Sequence, residues 1–136
     1  MTRVIAQRDL VLDVHGKRRR VRVRIGGPIR DVDTARGRDW RCPIRVSGVG
    51  KIRKDRGLGV DSLQALVHAL KLVEQEITGL EQRTSGHFLW FGDLWHGLPK
   101  VRLAVPPFVK RPNRRVQPAA GVRGSRGNRR QSARRG

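Results

Sequence analysis

Residues 19–25, RRVRVRI, alternate strictly: Val21, Val23 and Ile25 fall on one side of an extended chain, and Arg20, Arg22 and Arg24 on the other. A period of two fits no helix and demands a strand with one face buried and one face wet. Residues 8–14, RDLVLDV, carry the same period, with Leu10, Leu12 and Val14 on one face and Asp9, Val11 and Asp13 on the other. Two such stretches so close in sequence predict an antiparallel hairpin. A four-residue connection, His15-Gly16-Lys17-Arg18, sets Leu12 opposite Val21 and Leu10 opposite Val23. The same register sets Asp13 opposite Arg20 and Asp9 opposite Arg24, so apolar pairs and opposite charges agree.

Beyond the hairpin the pattern stays legible in places. Gly26-Gly27-Pro28 breaks the strand, and the polar, turn-rich stretch to Asp39 reads as a loop. Residues 40–46, WRCPIRV, alternate again, with Trp40, Cys42, Ile44 and Val46 facing inward and Arg41, Pro43 and Arg45 outward. Pro43 donates no ladder hydrogen bond, which places it at a bulge or near an edge. Residues 51–56 form a weaker strand, since only Ile52 is apolar. Asp61 is a good N-cap, with Gln64 three residues on completing a capping-box-like start. Leu63, Leu66, Val67, Leu70, Val73 and Ile77 then make one apolar stripe on a helix that Gly79 is placed to end. The run Phe88 to Phe91 reads as a last buried strand. The expected fold is α+β: an antiparallel sheet of four to five strands with one amphipathic helix across one face, in the order β-β-β-(β)-α-β.

Charge divides the chain further. The net formal charge is +20. Residues 17–56 hold fifteen Lys and Arg against Asp31, Asp33, Asp39 and Asp55, whereas residues 57–109 are close to neutral. Residues 110–136 hold ten Lys and Arg and no acid, with two valines as their largest apolar residues. Such a segment has nothing to bury and repels itself, so it is expected to stay disordered. The expected organisation is a domain over residues 1–109 and a basic tail over 110–136.

The segment Trp40-x-Cys42-Pro43-x-Arg45, then Gly48, then Gly59-Val60-Asp61-Ser62-Leu63-Gln64-Ala65-Leu66, resembles a small uncharacterised bacterial family. Its members share a W-x-C-P strand, a glycine turn and a G-V-D-[SA]-[LV]-Q-A-L helix opening. The resemblance spans residues 8–98. It implies the fold boundaries and a bacterial setting, and it carries no activity. The arginine density and the basic tail of this chain depart from the family pattern.

Little in the sequence suggests catalysis. The one cysteine, Cys42, excludes an internal disulfide and any CxxC metal motif. It sits on an inward face, as a small hydrophobe does; exposed among positive charge it would instead be a reactive thiol. His15, His68, His87 and His96 make no metal-binding helix pair. His87, Asp93 and His96 lie close in sequence and read as polar loop residues rather than a site. Gly48-x-Gly50-Lys51 lacks the helix of a phosphate loop and reads as a turn. No cofactor is implied, and the chain is expected not to be an enzyme. It has neither a signal peptide nor an apolar run of membrane-spanning length, so a cytoplasmic protein is expected.

A basic binding module is what remains. Arg20, Arg22 and Arg24 run down one strand face about 7 Å apart, and Arg41 and Arg45 extend the patch. Arg114, Arg115, Arg129 and Arg130 add cations from the tail. The expected partner is nucleic acid or another polyanion, held through its phosphates; the alternative is docking on an acidic protein. With no tyrosine, and with Trp and Phe assigned to the core, base stacking is not expected. Trp90, Phe91 and Trp95 exposed together would favour a protein partner. The same residues buried beside unpaired arginines would favour a polyanion.

Overall fold

The N-terminal hairpin forms with a tighter turn than the charge pattern suggests. In the computed structural model, which describes residues 3–103, β1 (Val4–Val14) pairs antiparallel with β2 (Lys17–Gly26). Only His15 and Gly16 connect them, both left-handed with φ of 52° and 81°, the signature of a two-residue primed turn. Leu10 therefore faces Val21, Asp9 faces Arg22 and Asp13 faces Arg18. The register differs by two residues from the four-residue loop, because Lys17 and Arg18 continue the ladder instead of turning. A slip of two keeps every side chain on its face but changes its partner.

The stretch expected as a loop is a strand. β3 (Ile29–Thr34) pairs with β4 (Gly37–Ser47), which also takes up the W-x-C-P segment. Its charged residues hide it, since an edge strand wet on most of its surface needs little apolar alternation. β5 (Arg53–Gly59) lies on the other side of β4, and β6 (His87–Leu89) adds a short strand beside β1. The sheet has six strands, every pairing antiparallel. β2 and β3 share one edge of β4, opposite β5. Pro43 sits where that edge passes from β2 to β3, so it interrupts no continuous ladder there although β4 is an interior strand. Over the described residues the fold is α+β, an antiparallel sheet with one helix.

That helix, α1 (Ser62–Thr84), starts as the sequence indicates. The Asp61 carboxylate accepts from the Gln64 N–H at 2.7 Å, and the Gln64 side chain accepts from the Val60 N–H at 2.8 Å. It runs through Gly79 and ends at Ser85, which is left-handed with φ of 53°. Leu80 is buried one residue past Gly79, and its packing outweighs the roughly 1 kcal/mol cost of an interior glycine.

The buried face is also rotated from the bulky stripe. It consists of Ala65, Ala69, Val73, Ile77 and Leu80, while Leu63 is 68% exposed. β5 explains this. A Cβ built on Gly57 would stand 2.2 Å from the Ala65 carbonyl oxygen, and one on Gly59 would stand 2.4 Å from the Ala65 nitrogen. Glycine on the strand and alanine on the helix let the two backbones touch. Leu66 and Leu70 pack half-buried on the flanks. Leu10, Leu12, Val21, Val23, Ile44 and Phe88 complete the core between sheet and helix. Trp40 only flanks it, and Phe91, expected inside, lies outside.

Candidate polyanion-binding face

The sheet surface turned away from α1 is built by parity. Core residues of β1, β2 and β4 alternate with Gln7, Asp9, Val11 and Asp13; with Arg20, Arg22 and Arg24; and with Arg41, Pro43, Arg45 and Ser47. β5 adds Lys54, Arg56 and Leu58, which lie opposite Arg45, Pro43 and Arg41.

The tighter hairpin register decides which arginines are engaged. Arg22 grips Asp9 with two hydrogen bonds, of 2.7 and 3.2 Å. This holds the Asp9 carboxyl below its usual range, with Arg20 and Arg24 adding to the effect. Arg41 grips Asp31 likewise, at 2.6 and 2.7 Å, and lowers that carboxyl too. Asp13 is lowered first by the Gly16 N–H and then by Arg18, not by Arg20. Arg24 donates to the neutral amide of Gln7 at 3.0 Å, so its charge stays uncompensated.

The remaining cations converge. Arg24 faces Arg45 across β2 and β4, and Arg45 faces Lys54 across β4 and β5. Neighbouring strands are about 4.8 Å apart, so three positive charges form one short row. Among the described residues, none of Arg20, Arg24, Arg45, Lys54 or Arg56 is in an ion pair. An open cavity of about 390 Å³ lies beside the row, lined by Arg41, Pro43, Arg45, Lys54 and Arg56 and by one acid, Asp55.

The candidates from sequence thus divide. Arg24 and Arg45 come together, Arg20 stays unpaired nearer the hairpin, and Arg22 and Arg41 are tied to carboxylates. Arg114, Arg115, Arg129 and Arg130, with the rest of the expected tail, lie outside the described residues. Lys54 and Arg56 were missed although a weak strand was expected over 51–56, because with Ile52 as its one apolar residue that stretch gave no inward face from which to read an outward one; the strand runs instead over Arg53–Gly59. Their shared parity in RKDR was the available signal.

Aromatic placement also differs from expectation. Trp90 and Asp93 exchange backbone hydrogen bonds of 3.1 Å around a turn whose central residues, Phe91 and Gly92, have φ of 52° and 86°. Phe91 is 87% exposed, and Leu94 and Trp95 are exposed at 78% and 56%. Trp90 is half-buried, with the Arg8 guanidinium 4.3 Å above its ring.

Cys42 is fully buried and donates to the Gly26 carbonyl at 3.2 Å, and burial pushes its thiol pKa up. His87 stands across from Asp13 on β6, whereas the His96 ring accepts from the Leu98 N–H in the closing loop. Among the described residues no three His, Cys, Asp or Glu side chains are grouped to hold a metal ion. No described helix is long and apolar enough to cross a membrane.

A family model described as a domain of unknown function (DUF6968) matches residues 6–100. The chain belongs to this family. The match covers all six strands and α1 apart from the first residues of β1. The described part of the DUF6968 domain therefore contains the whole cationic row and the Phe91 turn. No curated protein and no solved structure matches the chain.

Proposed function

We propose that this DUF6968 protein is a non-catalytic binding module for polyanions, nucleic acid foremost, and that the outer sheet face is its contact surface. One observation carries this: Arg24, Arg45 and Lys54 stand side by side on three adjacent strands with no carboxylate partner among the described residues. Like charges directly opposite one another cost stability in a sheet. A bound row of phosphates offsets that cost and releases counterions. The basic residues beyond 109 add to the attraction without needing a shaped site.

The test compares two full-length variants of equal charge. Arg24→Gln/Arg45→Gln/Lys54→Gln removes the row, and Lys17→Gln/Lys51→Gln/Arg53→Gln removes three exposed cations elsewhere. Both are titrated with inorganic polyphosphate and with DNA at several salt concentrations. The row variant is expected to bind about tenfold more weakly, with a salt dependence shallower by about two to three ions. Equal losses in the two variants would mean that total charge alone matters, and the face would not be a site.

An acidic protein partner is the second reading: of the three aromatics whose joint exposure would mark one, Phe91 and Trp95 are exposed, with Leu94 beside them, while Trp90 is half-buried. Aromatic anchors of this kind dominate protein interfaces. A partner retained after nuclease treatment, and lost on Leu94→Ser/Trp95→Ser, would support that assignment over the polyanion.

A further inference from the structure

Phe91 occupies a position that folding alone does not explain. A bulky side chain at positive φ is a backbone outlier, and the first central position of a primed hairpin turn favours Asn, Asp or Gly. Phe91 stands there with φ of 52°; its ring lies against Trp90, with centroids 4.8 Å apart, but the residue is 87% exposed, so it gains little from the core. Such strained positions cluster at active sites and ligand clamps.

Its surroundings point to a ligand. Phe91 lines a cavity of about 440 Å³ together with Val11, Leu89, Arg20 and Asp9. Val11 and Leu89 are cross-strand partners on the outer face, and Arg20 is the partner of Val11 on the other side. The floor is therefore apolar and half-buried, with an unpaired guanidinium at its rim. The charge of Asp9 is already met by Arg22. From this corner Arg20 and Arg24 lead along β2 to Arg45 and Lys54.

We propose that the outer face binds single-stranded nucleic acid, with one base stacked on Phe91 over the Val11–Leu89 floor and the phosphates held by Arg20, Arg24, Arg45 and Lys54. This rests on the polyanion function proposed above and narrows it. An aromatic ring offers a platform to any unstacked base and nothing to bases closed inside a duplex. An apolar floor beside cations has no use for a bare polyanion such as polyphosphate, which carries no bases.

The experiment uses the full chain, so that the segment beyond the described residues contributes equally to every variant. Wild type, Phe91→Asn and Phe91→Trp are titrated with a fluorescent oligo-dT of about twelve nucleotides, its duplex with oligo-dA, inorganic polyphosphate and polyglutamate. Phe91→Asn is expected to weaken single-strand binding about tenfold and to leave polyphosphate binding unchanged. Its melting temperature should hold or rise, because Asn suits the turn. Phe91→Trp should retain single-strand binding. Unchanged single-strand affinity in Phe91→Asn would overturn the stacking site. If the triple glutamine row variant still lost affinity, the cationic face would stand without it; if neither variant lost affinity, both would fall. A tighter grip on the duplex than on the single strand would also overturn the proposal. So would a loss on polyglutamate equal to that on oligo-dT, which would mark the site as one for an acidic peptide.

Discussion

Arg24 and Arg45 face each other on the outer surface, and Cys42 lies three residues from Arg45 on the core face of β4. The contrast shows what a residue's side of the sheet determines. On the outer face a charge can remain without a partner because water solvates it. On the inner face the Cys42 thiol is shut from water and tied to the Gly26 carbonyl, and burial raises its pKa. Thiol reactions run through the thiolate, so Cys42 should resist disulfide-exchange reagents in the native protein. It should label at the rate of global or local opening, and rapidly in denaturant. Fast stoichiometric labelling under native conditions would contradict its placement. The cysteine's inward position was legible from the alternation of WRCPIRV. The engagement of individual arginines was not, since moving the hairpin register by two residues exchanges Arg24 for Arg22 as the partner of Asp9.

The association of β5 with α1 is the element on which the packing turns. Bulky residues at helical spacing marked a helix correctly, yet the face that touches the sheet is the alanine face. Gly57 and Gly59 admit the helix backbone so closely that larger side chains have no room. Gly57→Ala should therefore destabilise the domain by about 2 kcal/mol or more, the scale of an overpacked core. Leu63→Asp should change stability by no more than about 0.5 kcal/mol, because Leu63 points to water. Chemical denaturation of the two variants checks both. A Leu63→Asp protein that unfolded would restore the bulky stripe as the buried face. Alanine carries little weight in a search for apolar stripes and glycine reads as a breaker, so small residues facing each other are easily overlooked.

At the scale of the molecule, the outer sheet face carries Arg20, Arg24, Arg45, Lys54 and Arg56 outside any ion pair among the described residues, and its acids are engaged in local pairs. Asp9, Asp13 and Asp31 are held below the usual carboxylate range by Arg22, by the Gly16 N–H with Arg18, and by Arg41. Lys71 does the same for Glu74 on the helix. A lowered carboxyl contributes stability that is fully present above its unfolded value, near pH 4, and is lost as pH falls through its folded value. The melting temperature should be flat from neutrality to about pH 5 and fall below about pH 4, and Asp9→Asn/Asp31→Asn should flatten that fall. The effect should be modest, since exposed pairs contribute little. A protein that gained stability on acidification would contradict these pairings. The sequence by itself determined the fold class, the N-terminal hairpin, the start of the helix and the side of the sheet on which each hairpin residue lies. Those follow from periodicity and capping, which act within a few residues. Only the tertiary structure decided the register, the strand hidden in residues 29–34, the alanine face of the helix, the joining of Lys54 to Arg24 and Arg45, and the exposure of Phe91. The alanine face and the joining of Lys54 to Arg24 and Arg45 depend on which segments meet and how closely their backbones can pack; the register, the polar strand and the Phe91 turn depend on turn geometry that apolar alternation does not encode.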